Sequence, residues 1–311
     1  MYEKHFNLAV SPFNLNPDPR FLYVTDQVKE ALATLAYGVT NHKGFVLLTG
    51  DVGTGKTTLL NVFMQWLAKH SAATAFIFNP RMGPDEFLDF AMADFGISCD
   101  SASKGRRLLA LNSWLLKRHE IGQPAVLIVD EAQQLSAEML EELRLLTNLE
   151  TPTHKLLQIV LSGQTELDKI LMRPSLRQLR QRITLRCRTM PLSYLQTAEY
   201  IAQRIRIAGG QCSEIFHPES IELVHRRSGG IVRLINLLCE QALIGAFCDG
   251  ETSIMAKHIE SAANELGLSQ ESRPGLDELG NAFAQINTTP ATQAHDYQSH
   301  DYQSIVKGTT K

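Results

Sequence analysis

Between residues 44 and 187, short apolar runs alternate with longer stretches whose apolar residues recur at helical spacing. The runs "GFVLLTG" (44–50), "TAFIFN" (74–79), "AVLIVD" (125–130), "LLQIVLSG" (156–163) and "RITLRC" (182–187) are rich in strand formers,. Between them lie helical patterns. From Thr25, a residue type suited to an N-cap, Val28, Leu32, Leu35, Ala36 and Val39 fall on one face before Gly44,. "KTTLLNVFMQWLAKH" (56–70) and the stretches 84–95, 104–119 and 136–149 follow the same rule. Strands apolar on both faces and separated by helices predict a parallel sheet covered on both sides. After Pro191 the alternation stops. Residues 193–208, 217–227, 230–247 and 255–265 all read as helices, with Gly209, Gly210, Gly229 and Gly230 at their ends,.

The organisation expected is an aromatic and proline-rich arm (1–24), an α/β core (25–190), a small all-α domain (191–266) and a polar tail (267–311). The arm shows neither helical nor strand periodicity over residues 1–23 and reads as an ordered loop. The aromatic residues Phe6, Phe13, Phe21 and Tyr23 in it read as packing residues,. The tail carries the pentapeptide HDYQS twice, at 295 and 300, and is too polar to offset its ordering entropy, so it is expected to be disordered,.

Composition narrows the class. A chain of 311 residues, 44% hydrophobic and 20% charged, can bury a substantial core,. A formal charge of −3 and a pI near 6.4 argue against a wholesale electrostatic grip on DNA or an anionic membrane,. The five cysteines, Cys99, Cys187, Cys212, Cys239 and Cys248, are widely spaced without a C-x-x-C pair, which predicts neither a disulfide framework nor a zinc site,. The histidines show no metal-ligand spacing. The N-terminus has no basic region followed by an apolar run, and no stretch approaches the roughly 20 apolar residues that span a bilayer. A cytoplasmic protein without direct membrane insertion is the expectation.

Two motifs carry chemistry. "GDVGTGKT" satisfies G-x-x-x-x-G-K-[ST] in the required context, after a strand and at the start of a helix,. Gly50, Asp51, Val52, Gly53, Thr54, Gly55, Lys56, Thr57 and Thr58 therefore form the expected cradle for the phosphates of ATP. Their backbone N–H groups converge at the positive end of the helix, Lys56 reaches the β- and γ-phosphates, and Thr57 offers its hydroxyl to Mg²⁺. In "AVLIVDEAQQL" a second apolar strand ends in Asp130 and Glu131, at the edge where open α/β sheets bind ligands,. Asp130 is the expected holder of Mg²⁺ and its water, and Glu131 the expected base that orients and deprotonates the attacking water.

Strand, phosphate loop and helix, then "VDEAQQL", a strand ending "SGQTEL", an arginine-rich element and a helical lid together resemble an AAA+ ATPase. More narrowly, "MYEKHFNLAVSPFNLNPDPRFLY", "GFVLLTGDVGTGKTT" and "LVHRRSGGIVRLINLLCEQAL" resemble the ExeA/GspA family of bacterial secretion-associated ATPases, which includes relatives found with exopolysaccharide and exosortase systems. The resemblance covers roughly residues 1–265. It implies a P-loop NTPase core followed by a lid, and further site residues. Asn79 matches the polar residue that restrains the catalytic glutamate until a partner binds. Ser162 and Gln164 lie where a sensor reads the γ-phosphate, and Gln164 is the favoured of the two. Arg233 matches the lid arginine that acts as a second sensor, with Val232 standing where the family usually has proline,.

"RQLRQRITLRCR" (177–188) holds five arginines in twelve positions. If Pro174 opens a short helix, Leu176, Leu179 and Ile183 face the core and leave Arg177 and Arg180 toward solvent. Arg186 and Arg188 alternate with Leu185 and Cys187, as on a half-exposed edge strand. Arg182, at the junction with that strand, matches the arginine finger that faces ATP in a neighbouring subunit. A nucleic-acid patch would instead use Arg177, Arg186 and Arg188 as a group, with an effect that fades in salt.

The resemblance therefore implies a homo-oligomer, ring or filament, that hydrolyses ATP to assemble or energise envelope machinery for secretion or polysaccharide export. It would work from the cytoplasm, recruited peripherally to the inner membrane by a partner. Two alternatives stand beside it: an ATP-dependent DNA-binding regulator like transposition target-selection ATPases, and a slow nucleotide-dependent interaction switch. Against the DNA reading stand the acidic pI and the lack of a DNA-reading module,.

Overall fold

The structure is a computed structural model that describes residues 1–268 except 17, 79, 100 and 102. Asn79 and the segment holding the HDYQS copies lie outside the described residues. In chain order the elements are α1 (Tyr2–His5), α2 (Asp26–Thr40), β1 (Phe45–Gly50), α3 (Lys56–Lys69), β2 (Ala73–Ile77), α4 (Pro84–Asp94), α5 (Lys104–Glu120), β3 (Ala125–Val129), α6 (Ala137–Leu146), β4 (Leu157–Gly163), α7 (Glu166–Leu171), α8 (Arg177–Arg182), β5 (Ile183–Thr189), α9 (Tyr194–Ile207), α10 (Cys212–Ile215), α11 (Pro218–Ser228), α12 (Val232–Cys248) and α13 (Ala256–Glu265). They fall into two compact units. Among the described residues, one holds Asp26–Val52 and Lys56–Thr189; the other holds Met1–Thr25, Gly53–Gly55 and residues 190–268.

In the first unit five strands form a parallel sheet in the order β2-β3-β4-β1-β5. The central strands β1, β3 and β4 are buried at every position, which explains their unbroken apolar runs,. Alternate residues serve opposite faces. Phe45, Leu47, Leu127, Ile159 and Leu161 join a core closed by α4, α5, α6 and α7. Val46, Leu48, Val126, Ile128 and Val160 face the other way and are equally buried, on the side where α2 and α3 pack. The edge strands alternate instead: β5 reads buried only at its ends, with Arg186 and Arg188 turned outward. At the other edge, the Phe76 N–H donates to the Asp94 carboxylate at 2.6 Å, so a free ladder donor is closed by a charge,.

Parallel pairing aligns the strand ends. Thr49 of β1 lies beside Gly163 of β4, and Val129 of β3 beside Leu161. The loops after β1, β3 and β4 therefore emerge along the same edge of the sheet. Helix α8 buries Leu176, Leu179 and Ile183 around its ends while Arg177 is exposed, as the spacing predicts. Helix α6 begins behind Ser136, whose hydroxyl accepts the Met139 N–H at 3.0 Å,. It stops at Leu146, short of the expected 149, where the backbone tightens: the N–H groups of Asn148 and Leu149 donate three residues back, to the carbonyls of Leu145 and Leu146, and Thr147 Oγ1 donates to the Arg144 carbonyl at 2.7 Å,.

The second unit is helical. Ile201, Ile205, Leu238, Leu243 and Ile259 form its core together with Tyr2, Phe6, Leu8 and Phe13. The arm is thus part of this core rather than a separate segment, and it contains one α turn and one 3₁₀ turn (Pro19–Phe21) where the pattern indicated neither. A single turn has no period to display, and tertiary packing supplies what propensity does not. Arg204, 6% exposed, binds the arm. Its guanidinium donates to the carbonyls of Pro12 and Asn14 and lies over the rings of Phe21 (4.5 Å) and Phe13 (5.9 Å),. Val232 opens α12 at the position where proline was the family expectation. Among the described residues no helix is long and apolar enough to cross a membrane.

Helix α2 approaches the sheet at Gly38, where an added methyl would lie 2.4 Å from Val46 Cγ2 and 3.2 Å from Leu185 Cδ1. Alanine is the better helix former by up to about 1 kcal/mol, yet overpacking a rigid, β-branched neighbour costs about 1–3 kcal/mol. Gly38→Ala should therefore lower the thermal midpoint by several degrees; an unchanged or raised Tm would show that α2 is free to shift.

Candidate functional site

The loop after β1 turns on glycines in the left-handed region, Gly53 at φ 79° and Gly55 at φ 96°,. A side chain at Gly53 would also meet Arg233 Cβ at 2.8 Å and Ile231 Cγ2 at 3.0 Å. The Arg233 N–H donates to the Gly53 carbonyl at 3.0 Å. Lys56, the first residue of α3, is 7% exposed. Its ammonium donates to the carbonyls of Gly50 at 2.8 Å and Asp51 at 2.9 Å. Burial pulls its pKa below the usual lysine range, opposed by the carboxylates of Glu131, Asp130, Asp51 and Glu166,. Thr54 is buried, Val52 and Thr57 are exposed, and the Asp51 carboxylate accepts from Thr165 Oγ1 at 3.3 Å.

Directly opposite stands the end of β3. Asp130, 6% exposed, accepts three hydrogen bonds: from Ser162 Oγ at 2.8 Å and the Glu131 N–H at 3.0 Å on Oδ1, and from Thr57 Oγ1 at 3.2 Å on Oδ2. A buried carboxylate beside a threonine hydroxyl at a solvent-facing loop is a pair of hard oxygens suited to Mg²⁺ that keeps several waters. The residues present fit that ion.

Glu131 takes a left-handed backbone, φ 52° and ψ 35°, which costs a non-glycine residue roughly 1–2 kcal/mol,. Its Oε2 accepts from Gln133 Nε2 and from Gln164 Nε2, the latter at 3.3 Å. Gln133 Oε1 in turn accepts the Gln164 backbone N–H at 3.0 Å. Of the two sensor candidates, Ser162 touches Asp130 and Gln164 touches Glu131. Sequence reasoning passed over Gln133. Its position two residues after Glu131 in "DEAQQL" was the available signal, but which way its amide points is decided only by the neighbouring strand.

The arginine-rich element is largely spoken for. Arg182 Nη1 donates to Thr147 Oγ1 and Asn148 Oδ1, each at 2.8 Å, and to the Arg144 carbonyl at 3.3 Å, which places a cation on the C-terminal end of α6,. Arg186 and Arg188 pair with Asp168 at 3.2 and 2.9 Å. Arg180 donates to the Met172 carbonyl at 3.3 Å. Elsewhere, Asp249, Glu251 and His258 bring potential metal ligands together. His258 Nδ1 accepts the Met255 N–H, so in the neutral ring the proton sits on Nε2, and Lys257 already pairs with both carboxylates. That cluster is a charge network rather than a metal centre.

Comparison with known proteins agrees with this geometry. A family profile described as an AAA domain matches residues 39–171. General secretion pathway protein A of Aeromonas hydrophila is 44% identical over 269 residues, 86% of this chain and 48% of that protein. The chain thus spans about half the length of this curated relative. Among solved structures, the Aeropyrum pernix ORC2 protein superposes with a TM-score of 0.62 at 20% identity, covering 82% of this chain and 70% of that one. Drosophila ORC bound to DNA gives 0.65 at 19% (85% and 66%), and the Thermotoga maritima RuvB Holliday junction branch migration motor 0.52 at 18% (82% and 72%). These distant likenesses speak for the fold alone. Residues 39–171 of this chain thus match an AAA domain, and the chain is similar over most of its length to General secretion pathway protein A.

Proposed function

We propose that this protein is a Mg²⁺-dependent, self-assembling ATPase that assembles or energises envelope secretion machinery, acting from the cytoplasm through a partner at the inner membrane. The observation that carries the ATPase reading is the cluster at the strand ends, where Lys56, Thr57, Asp130, Glu131 and Gln164 converge. The secretion reading rests on the homologue's name and on the sequence resemblance.

In this reading Lys56 exchanges its loop carbonyls for the β- and γ-phosphates of ATP, and Gly50 to Thr58 cradle them with backbone N–H groups,. Thr57 and Asp130 hold Mg²⁺, which neutralises charge on the phosphates. Glu131 takes a proton from water as the water oxygen bonds to the γ-phosphorus and the bond to the bridging oxygen breaks, leaving ADP and phosphate. Arg182 serves as finger to a neighbouring subunit. Among the described residues only Nη1 is used in its bonds to the C-terminal end of α6 and the two residues after it, so that end anchors the guanidinium and Nη2 and Nε are the atoms offered to a phosphate,. The family resemblance further assigns Arg233 the role of second sensor and Asn79 that of a restraint on the glutamate. A DNA interface built on Arg177, Arg186 and Arg188 is disfavoured by Asp168, which already pairs with two of the three.

Glu131→Gln should lower steady-state ATP hydrolysis by about 10²-fold or more while leaving nucleotide affinity nearly intact; retained turnover in a phosphate-release assay would remove Glu131 as base. Arg182→Ala alone should lose on the order of 10³-fold. Mixing Arg182→Ala with Glu131→Gln subunits should restore activity, because some interfaces then pair an intact Glu131 with an intact Arg182. Failure of the mixture to recover any turnover, with assembly verified by light scattering, would rule out a finger supplied in trans.

A further inference from the structure

Gln133 sits in a closed ring of hydrogen bonds. Its Nε2 donates to Glu131 Oε2, its Oε1 accepts the backbone N–H of Gln164, and the Gln164 side-chain amide donates to the same Glu131 Oε2. All four participating groups lie at the ends of β3 and β4. The ring depends on a glycine: a methyl on Gly163 would lie 2.8 Å from Gln133 Oε1, inside contact distance. The glutamate it holds has a left-handed backbone, so its carboxylate cannot be aimed by an ordinary strand or helix and must be aimed by its neighbours,.

The division of labour on the carboxylate is specific. Oε2 receives both amide donors, while Oε1 takes no hydrogen bond among the described residues. One oxygen is fixed and the other is left to meet a water. An amide is also the side chain the ring requires, since one group must donate to a carboxylate and accept from a backbone N–H at once. A carboxylate could only accept, and would repel Glu131.

We propose that Gln133 is a positioning residue for ATP hydrolysis. It locks the Glu131 carboxylate to the end of β4, so that Oε1 faces the attacking water and a displacement of Gln164 on nucleotide binding is passed directly to the base. This deepens the ATPase reading above and rests on it. Gln133 acts through Glu131, the carboxylate to which it donates.

The test compares wild type, Gln133→Leu, Gln133→Asn, Glu131→Gln and the Glu131→Gln/Gln133→Leu double variant of the full chain, measuring kcat and KM for ATP with Mg²⁺. Gln133→Leu removes both ends of the bridge. Gln133→Asn keeps an amide but withdraws it by one methylene, which guards against a folding defect specific to leucine. Both should lower kcat by about 10- to 100-fold, the loss typical of a misplaced group, with KM nearly unchanged. The double variant should be no slower than Glu131→Gln alone, because without the base there is nothing left to position. In parallel, NMR hydrogen exchange at the Gln164 amide should accelerate in Gln133→Leu. Wild-type kcat in both Gln133 variants, multiplicative losses in the double variant, or unchanged Gln164 exchange would each overturn the proposal. If instead Glu131→Gln itself retains turnover, the assignment of the base fails, and the positioning role falls with it.

Discussion

A carboxylate buried at the end of a strand is the constraint on which the rest depends. Asp130 is nearly inaccessible to solvent, and an ionised group there is tolerable only if hydrogen bonds replace its lost hydration,. Those bonds come from Thr57 at the start of α3, Ser162 at the end of β4 and the following backbone amide. Two of the donors, Thr57 and Ser162, belong to separate parts of the chain and reach Asp130 only if β1 and β3 both pair with β4 in register. Closing the sheet and assembling the site are therefore one event.

The same edge shows how strain is used. Glu131 follows Asp130 with a left-handed backbone, which swings its carboxylate away from Asp130 and toward β4. Two neutral amides hold it there without forming an ion pair. Lys56 is held by backbone carbonyls, and burial lowers its affinity for its proton,.

The helical unit obeys a different logic. Its core is completed by the first residues of the chain, which supply Tyr2, Phe6, Leu8 and Phe13, and Arg204 fastens them with carbonyl hydrogen bonds and aromatic faces rather than a carboxylate. The aromatic residues of the arm serve packing. The arginine-rich segment likewise divides by position: Arg186 and Arg188 lie on an edge strand within reach of Asp168, whereas Arg182 ends a helix and binds the terminus of another.

Sequence alone determined the strand and helix alternation, the phosphate loop and the paired acids of "VDEAQQL", because each is a local pattern: burial on both faces demands an unbroken apolar run, and a left-handed loop demands glycine. It also placed Leu176, Leu179 and Ile183 inward and the arginines of the edge strand outward. Strand ends moved by a residue or two, since the last turn or pair depends on what lies beside it. Only the tertiary structure decided that the arm belongs to the helical core, that Ser162 serves Asp130 while Gln164 serves Glu131, that Arg182 spends one nitrogen on α6, and that Gln133 bridges two strand ends. The reason is physical: a side chain's partner across the sheet is set by strand order and register, and the order β2-β3-β4-β1-β5 is written in no single stretch of the chain,.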